Sequence, residues 1–481
     1  MFFKKKKRDR KSAEKDANRE IGHITYIFVG LFIALIGYLM YFTQFRSSDI
    51  INNSYNSRQD LLAQKVVRGS ILSRDREILA ATVTAADGTE TRNYPYQNLF
   101  AHAVGYSTHG KTGVESISNF TLLTSNAFIG ERVKNDIGEI KNPGDDVITT
   151  LDVDVQKAAS DAMGVYKGAI VVMNVKTGGI LALISKPDFD PNQINSIWDE
   201  VNADSENSVL LNRATQGLYP PGSTFKIVTA LEYLKENSDT EAYSFDCTGS
   251  FKSGDSVINC YHGQKHGQID FLHSFAESCN SSFANISMTL NKKEFQKTCR
   301  ELLFNGKLPV PYTYRESYVP ISASSDTDEV MQTGIGQGKT QVTPIHMTLI
   351  TAAIANDGVL MKPYAVSAVE NHNHDVIKSY DAQEYKRLLS EAEAEQMQAL
   401  MAEVVQSGTA TRVKDTVGYV AAGKTGSAEY SSDKTASHAW FTGFAPLSDP
   451  EIAVTVVLEG AGSGGEYAVP IAKRIFDAYF N

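Results

Sequence analysis

The chain has 481 residues, of which 42% are apolar and 21% are charged, so it is long enough for two or three domains with substantial cores. Its formal net charge is −10 at pH 7. A body this acidic lacks the basic surface that nucleic-acid binding requires, and we expect no nucleic-acid partner.

The first predicted element is a membrane-spanning helix that follows a basic tail. Residues 1–20 carry nine Lys or Arg against four Asp or Glu, whereas 24–42 is an uncharged run of 19 residues. A helix of that length crosses a hydrocarbon layer. A cleavable signal peptide is the alternative, but the run is long for one and no small-residue cleavage site follows it. We expect 21–45 to be a single transmembrane helix, with the tail 1–20 in the cytoplasm and the rest of the chain outside.

The remainder of the chain divides into two parts, which differ in how regular their sequence pattern is. The stretch 46–150 has short strand-like and loop-like segments without readable chemistry, and we assign it to a smaller non-catalytic domain. A more regular pattern follows over 151–481, where 169–185 predicts two strands joined at Thr177-Gly178-Gly179, because apolar and β-branched residues fill both arms.

The stretch 219–234, YPPGSTFKIVTALEYL, predicts a helix that begins near Ser223, because two prolines and a glycine stop any earlier one. Helical spacing places Lys226 on the apolar stripe that faces the core. We expect this lysine to be desolvated, with a pKa below its free value, so that it acts as a base. Spacing of i to i+3 brings its amine within reach of the Ser223 hydroxyl, which favours a serine nucleophile with a built-in base. An ordinary surface helix is the alternative.

Four cysteines in an exported body could form zero, one or two disulfides. Cys247 and Cys260 flank a predicted short hairpin and could pair across it. For Cys279 and Cys299, buried free thiols explain the sequence at least as well as a second bridge.

Two histidines in this region have the spacing of metal ligands on a helix. His262 and His266 lie at i and i+4, but a glycine follows each of them and weakens any helix there. We interpret the stretch as a solvated loop and predict neither a metal site nor a cofactor.

Two later stretches could complete a catalytic site. Ser278-Cys279-Asn280 follows a helix predicted from Asp270, where a break in the chain could present a hydroxyl and a carboxamide to a cleft. Lys424-Thr425-Gly426-Ser427 lies in a predicted strand, whose alternation sends Lys424 and Gly426 to one face and Thr425 and Ser427 to the other. Each of these short motifs also occurs elsewhere in the chain and is weak evidence alone. The prediction of a catalytic site therefore depends on their order, which is S-x-x-K, then S-x-N, then K-T-G.

The C-terminal part predicts three strands, over 421–430, 438–446 and 451–460, and a final amphipathic helix over 468–480. A single sheet built from these strands and the 169–185 pair, with helices packed against it, is the economical arrangement. We therefore expect an α+β fold.

The ordered trio resembles that of the monofunctional class B penicillin-binding proteins, which are peptidoglycan D,D-transpeptidases. The segments RGSILSRDREILA, NRATQGLYPPGSTFK, TGIGQGKTQVTP and HAWFTGFAP also look like segments of that family. Two positions depart from its RGxIxDRxGxxLA box: Ser73 stands where aspartate is usual and Arg76 where glycine is usual. The resemblance implies an antiparallel sheet flanked by helices over 151–481, and a pedestal or dimerisation-type domain over 46–150.

The same resemblance implies a role for each site residue. Ser223 would attack the penultimate D-alanine carbonyl of a stem peptide, with Lys226 accepting its proton. Ser278 would pass a proton to the departing D-alanine, Asn280 would hold the donor amide and Lys424 would tune the local field. The rest of the site would comprise an oxyanion hole from the backbone N–H groups of Ser223 and Ser427, and a carboxylate site at Thr425, Gly426 and Ser427.

The resemblance also implies partners and inhibitors. β-Lactams would mimic the D-Ala-D-Ala end and leave a slowly hydrolysed acyl-enzyme, while hydrolysis of the peptide acyl-enzyme would give D,D-carboxypeptidase activity. A multi-pass SEDS-type glycosyltransferase would supply the glycan strands. Three alternatives stay open: a class D-like β-lactamase, a β-lactam sensor, and a non-catalytic scaffold for wall synthesis.

Overall fold

The computed structural model describes residues 2–42, 58–414, 416–430 and 437–481. The last residues of the predicted span, 43–45, and the first of the predicted N-terminal domain, 46–57, lie outside the described residues. The chain forms two compact units, Met1–Leu61 and Leu62–Asn481, which we describe separately.

The first unit contains one long helix, Phe2–Tyr41. Its part Ile21–Tyr41 has a mean hydropathy of 2.1 and no buried residues in that window. Among the described residues it is the one helix that is long and apolar enough to cross a membrane. The predicted apolar N-terminal span is therefore confirmed as a helix of sufficient length.

The second unit is organised around a five-stranded antiparallel sheet, which we call the catalytic sheet. Its strands lie side by side in the order Ala422–Glu429, Ser437–Ala445, Ile452–Leu458, Gly168–Asn174 and Ile180–Lys186. All five strands predicted for this sheet are confirmed, including the hairpin that turns at Gly178, whose φ is +84°. The sheet joins strands from both ends of 151–481, as expected for the α+β class.

A second sheet of six strands crosses the predicted boundary at residue 150. Its order is Val376–Ser379, Val366–Glu370, Asp146–Thr149, Ile71–Leu72, Ile78–Thr84 and Glu90–Asn93. The first two strands of that order come from the second half of the chain; they pair with each other, and Val366–Glu370 also pairs with Asp146–Thr149. We call this the shared sheet.

Helices cover the catalytic sheet. Pro344–Ala355 is buried along its whole length, because it is apolar all round and packs on three of the sheet strands. Val469–Phe480, the predicted final helix, packs against Val153–Met163. The other α-helices are Arg58–Lys65, Gly113–Ile117, Asn119–Leu122, Ile129–Ile137, Ile194–Ala203, Arg213–Gln216, Lys226–Glu236, Phe271–Ala276, Asn280–Thr289, Lys292–Glu301, Thr327–Gly334 and Glu391–Gln406.

Short elements complete the fold. The two-stranded pairs are Val66–Val67 with Asn142–Pro143, Ser244–Cys247 with Gly267–Asp270, Ser250–Ser253 with Ser256–Asn259, and Val359–Met361 with Glu384–Arg387. The 3₁₀ helices are Gln97–Phe100, Pro191–Gln193, Gly222–Phe225, Tyr261–Gly263 and Thr411–Val413, and a π-helix covers Gly464–Ala468.

Candidate active site

Ser223 lies in a tight turn at the start of a buried helix. The turn Gly222–Phe225 is a 3₁₀ helix that leads directly into Lys226–Glu236, which matches the predicted helix start. Its entrance is fixed from two sides, since the Gly222 N–H donates to the Gly336 carbonyl at 2.9 Å and Trp440 Nε1 donates to the Pro220 carbonyl at 3.1 Å. Ser223 itself is partly exposed, so the turn presents its hydroxyl to solvent.

Lys226 is fully buried, which confirms the prediction that it is desolvated. Its Nζ donates to the Ser278 carbonyl at 2.6 Å, to Asn280 Oδ1 at 2.8 Å and to Ser278 Oγ at 3.3 Å. Burial lowers the pKa of Lys226 to about 7. No hydrogen bond joins Lys226 to the Ser223 hydroxyl among the described residues. In structures without substrate, catalytic hydrogen bonds are often long and tighten in the complex.

The Ser278-Cys279-Asn280 segment forms a break between two helices. Phe271–Ala276 begins at Asp270, whose carboxylate accepts the His273 N–H, as the predicted N-cap requires. Ser278 then takes a left-handed conformation with φ of +60°, and the next helix begins at Asn280. The break leaves Ser278 and Asn280 partly exposed and facing the Lys226 amine.

Lys424 approaches Ser278 from the buried side of the catalytic sheet. The side chain is fully buried, and its Nζ donates to Ser278 Oγ at 2.9 Å. Burial lowers the pKa of Lys424, and the charge of Lys226 lowers it further. The hydroxyl of Ser278 thus lies between two amines whose pKa values are both lowered by burial. Strand alternation therefore does not exclude Lys424 from the site, although Thr425 points the other way.

The strand Ala422–Glu429 supplies the opposite wall of the cleft. Thr425 Oγ1 shares a hydrogen bond of 2.5 Å with Thr409 Oγ1, and Ser427 Oγ accepts the Gly464 N–H at 3.2 Å. Gly426 lies so close to the nucleophile turn that a Cβ there would be 2.9 Å from the Pro221 carbonyl oxygen. The strand is therefore held against the turn that carries Ser223.

Two cavities, of about 440 Å³ and about 270 Å³, meet at these residues. Both are lined by Ser223, Asn280 and Ser427, and the smaller one also by Ser278, Thr425 and Gly426. Lys226 and Lys424 lie beneath them, in contact with Ser278. The structure thus brings together all eight residues that the sequence singles out for catalysis and substrate binding.

Sequence reasoning missed Thr409 and Gly464, which hold the hydroxyls of Thr425 and Ser427. The signal available for Thr409 is a Ser-Gly-Thr turn after the helix Glu391–Gln406, and this signal is weak. The sequence offers no signal for Gly464, because its role depends on the approach of a distant loop to the strand Ala422–Glu429.

The cysteine and histidine predictions have mixed outcomes. Cys247 and Cys260 flank a hairpin as predicted, and they are buried free thiols with sulfurs 3.6 Å apart. Cys279 and Cys299 are also buried free thiols. His262 is exposed, but the interpretation of His266 as a solvated residue is wrong, since only 3% of its side chain is exposed. Three of the cysteines and His266 form one cluster that could hold a metal ion.

Two family models match most of the second unit. The penicillin binding protein transpeptidase domain matches residues 168–477, and the penicillin binding protein A dimerisation domain matches residues 68–147. Among curated relatives, the peptidoglycan D,D-transpeptidase PbpA of Mycobacterium tuberculosis is 30% identical, over 91% of this chain and 94% of its own length. The peptidoglycan D,D-transpeptidase MrdA of Acinetobacter baumannii is 29% identical, over 80% of this chain and 66% of its own length.

Solved structures show the same similarity. The D,D-transpeptidase domain of a peptidoglycan glycosyltransferase from Eggerthella lenta has a TM-score of 0.77 and 30% identity, covering 86% of this chain and 97% of its own. Penicillin-binding protein A from M. tuberculosis, as its penicillin G acyl-enzyme complex, has a TM-score of 0.78 and 28% identity, covering 87% and 100% of the two chains.

Proposed function

This chain belongs to the penicillin-binding protein transpeptidases, serine D-Ala-D-Ala transpeptidases that crosslink peptidoglycan and are acylated by β-lactams, and from that premise we propose which of its residues carry the reaction. The proposal rests above all on one observation: the Ser278 hydroxyl lies between the buried amines of Lys226 and Lys424, beside the turn that presents Ser223.

In the first half-reaction, Ser223 Oγ attacks the carbonyl carbon of the penultimate D-alanine. Its proton passes to the neutral form of the Lys226 amine, which is present near pH 7 because burial lowers its pKa to about 7. The backbone N–H groups of Ser223 and Ser427 stabilise the oxyanion that develops on the carbonyl oxygen. When the tetrahedral intermediate collapses, the C–N bond to the terminal D-alanine breaks.

The leaving amine then needs a proton, and Ser278 delivers it. The hydrogen bonds from Lys226 and Lys424 to Ser278 Oγ form a path from the protonated Lys226 to the cleft. In the second half-reaction, an acceptor amine attacks the acyl-enzyme, its proton leaves by the reverse path, and Ser223 is released. The result is a new peptide bond between two stem peptides.

The strand Ala422–Glu429 and the side chain of Asn280 bind the substrate. The hydroxyls of Thr425 and Ser427 line the smaller cavity and bind the terminal carboxylate, with Gly426 allowing close approach. Asn280 contributes its carboxamide to the donor peptide amide, and its Oδ1 accepts a hydrogen bond from Lys226. Substrate binding and the proton path therefore share a residue.

Mass spectrometry of the penicillin adduct tests the nucleophile. We expect wild-type protein to carry one penicilloyl group on the peptide that contains Ser223, and the Ser223→Ala variant to carry none. Ser324→Ala is the matched control, since that serine is exposed and remote in sequence, and it should label like the wild type. A full adduct on Ser223→Ala would remove the assignment of the nucleophile, whereas no adduct on the wild-type protein would favour the scaffold alternative.

We also propose the layout of the whole chain: a cytoplasmic tail at 1–20, a transmembrane helix at 21–45, a pedestal or dimerisation-type domain at 46–150 and the transpeptidase domain at 151–481. The basic tail and the match of a dimerisation-domain family to 68–147 support it. Protease added to intact spheroplasts should degrade the transpeptidase domain and spare an epitope placed at the N-terminus. Loss of the epitope alone would reverse the orientation.

We further propose a SEDS-type glycosyltransferase as the partner that supplies glycan strands. The helix Ile21–Tyr41 is apolar over its whole surface, so it can pack against another membrane protein. A photo-crosslinker placed along this helix should capture that enzyme in membranes. Capture with equal yield from every face of the helix would argue against a specific contact.

A further inference from the structure

A compact cluster of soft ligands lies beside the catalytic break, and the proposed chemistry does not use it. Cys247, Cys260, His266 and Cys279 place one ligand atom each within 4.8 Å of all the others. The four residues lie within the segment 247–279 and are brought together by two hairpins and a helix start. All three sulfurs are buried.

The distances within the cluster fit tetrahedral coordination. The three sulfur–sulfur distances are 3.4, 3.6 and 3.7 Å, and His266 Nδ1 lies 3.3 Å from Cys247 Sγ. With Zn–S bonds of about 2.3 Å, a tetrahedral site has sulfur–sulfur edges of about 3.8 Å. With a Zn–N bond of about 2.0 Å, its sulfur–nitrogen edges are about 3.5 Å. No pair of sulfurs stands out as the partners of a disulfide.

The groups around the cluster are those expected of a metal–thiolate site. His266 directs Nδ1 toward the sulfurs and its Nε2 toward Glu277, 3.9 Å from the carboxylate oxygen. A carboxylate behind a histidine fixes which ring nitrogen binds the metal. The N–H of Ser281 points at Cys260 Sγ and that of Ser282 at Cys279 Sγ, both at 3.4 Å. Such donors stabilise negatively charged sulfur.

From this geometry we propose that Cys247, Cys260, His266 and Cys279 bind one Zn²⁺ in a closed tetrahedral site. Three thiolates and one imidazole suit zinc, and four protein ligands leave no open position for catalysis, so the ion is structural. On binding, the three thiols release their protons to solvent and the histidine stays neutral. This replaces the expectation from sequence that the protein has no metal site.

The position of Cys279 gives the ion a function. Cys279 lies between Ser278 and Asn280, and its sulfur caps the helix that begins at Asn280. A metal bond at Cys279 would fix the backbone on which both neighbours depend. The zinc ligands are thus positioning residues for the proton path, a step that rests on the roles proposed above for Ser278 and Asn280.

Metal analysis of the purified full-length protein tests the site itself. We expect one zinc per chain by plasma mass spectrometry, and loss of that zinc in Cys247→Ala and His266→Ala. Cys299→Ala and His262→Ala are matched controls and should keep it, because Cys299 lies in a separate part of the core and His262 is exposed. Cobalt exchanged into the site should show the absorption of tetrahedral Co²⁺ with thiolate ligands.

A thiol count after denaturation with chelator distinguishes zinc from a disulfide. Four reactive thiols are expected, since all four cysteines are free. Two thiols and no zinc would mean that a disulfide forms instead, and this result would overturn the proposal. Because the wild-type chain is used, the result does not depend on whether any variant folds.

Removal of zinc from the wild-type protein tests the positioning role. A chelator should slow acylation by fluorescent penicillin about tenfold or more, and added Zn²⁺ should restore it, while circular dichroism stays native-like. Unchanged acylation in zinc-free protein would overturn the positioning role and leave the metal site standing. An adduct that persists in Ser223→Ala would instead refute the proposed nucleophile, whatever the zinc content.

Discussion

At the scale of single residues, the active site depends on two lysines that are kept out of water. Lys226 and Lys424 are fully buried, and each contacts Ser278 Oγ. Burial disfavours the ammonium form of both. A neutral amine that accepts a proton becomes a buried ammonium ion, which is costly, so each lysine tends to return the proton through the Ser278 hydroxyl.

The pKa of Lys226 predicts how acylation depends on pH. Because burial lowers that pKa to about 7, the amine is protonated at lower pH and neutral at higher pH. Only the neutral form accepts the Ser223 proton, so the acylation rate constant should fall about tenfold per pH unit below 7 and level off above it. Stopped-flow acylation with a chromogenic cephalosporin measures the profile.

The variant Lys226→Met is the matched comparison for this profile, since it keeps the length of the side chain and removes the base. It should acylate about 10²–10⁴-fold more slowly, with no inflection near pH 7. Circular dichroism across the same range checks that the fold is retained. An inflection near pH 10 in the wild type would contradict the lowered pKa of the base, because a lysine exposed to water has a pKa of about 10.4.

At the scale of elements, the catalytic turn is fixed by close backbone approach. Gly336 has φ of +71°, and its carbonyl accepts the Gly222 N–H. A Cβ on Gly336 would lie 2.1 Å from the Gly222 carbonyl oxygen and 2.6 Å from Phe225 Cβ. A side chain at this position would therefore displace the turn that carries Ser223.

The substitution Gly336→Ala should slow acylation about 100-fold, because a shift near 1 Å in a catalytic group has that effect. Gly254→Ala is the control: its φ is +60°, but its Cβ would meet nothing within 4 Å. Both variants incur the left-handed strain of about 1 kcal/mol, so both lose some stability in urea. Equal acylation rates in the two variants would contradict the argument from close approach.

The local sequence pattern was sufficient to predict the helices, strands and turns that hold the site residues. The alternation in Ala422–Glu429, the turn at Gly178 and the cap at Asp270 are signals within a few residues, and each predicted its element. The contacts that complete the site could not be predicted from the sequence, since they depend on how separate segments pack against one another. The burial of His266 is one example, because it depends on two hairpins folding over its ring.

At the scale of the whole molecule, the shared sheet ties the predicted N-terminal domain to the transpeptidase domain. Val366–Glu370 pairs with Asp146–Thr149, and Arg76 forms an ion pair of 2.6 Å with the buried Glu370. Arg76 adopts φ of +68°, a left-handed conformation that glycine, the residue expected at this position of the RGxIxDRxGxxLA box, adopts without strain. The two predicted domains therefore share one sheet, and neither has a complete surface of its own at the boundary between them.

Deletion experiments test this coupling. A chain of residues 62–481, which keeps the whole second unit, should be monodisperse in light scattering and should label with fluorescent penicillin. A chain of residues 151–481 leaves Val366–Glu370 with an unpaired edge and Glu370 without Arg76, so it should aggregate. A monodisperse, fully active 151–481 chain would show that the shared sheet is dispensable.

The shared sheet also sets the order in which the chain can fold. A contact between Ser367 and Ile148 spans 219 positions of the chain, so the first strands of this sheet are synthesised long before their neighbours are. Contacts of such long range form slowly, because a large loop must close first. During that interval the strand Asp146–Thr149 lacks its partner and is open to chaperones and proteases, so the yield of folded enzyme depends on how fast the rest of the chain follows.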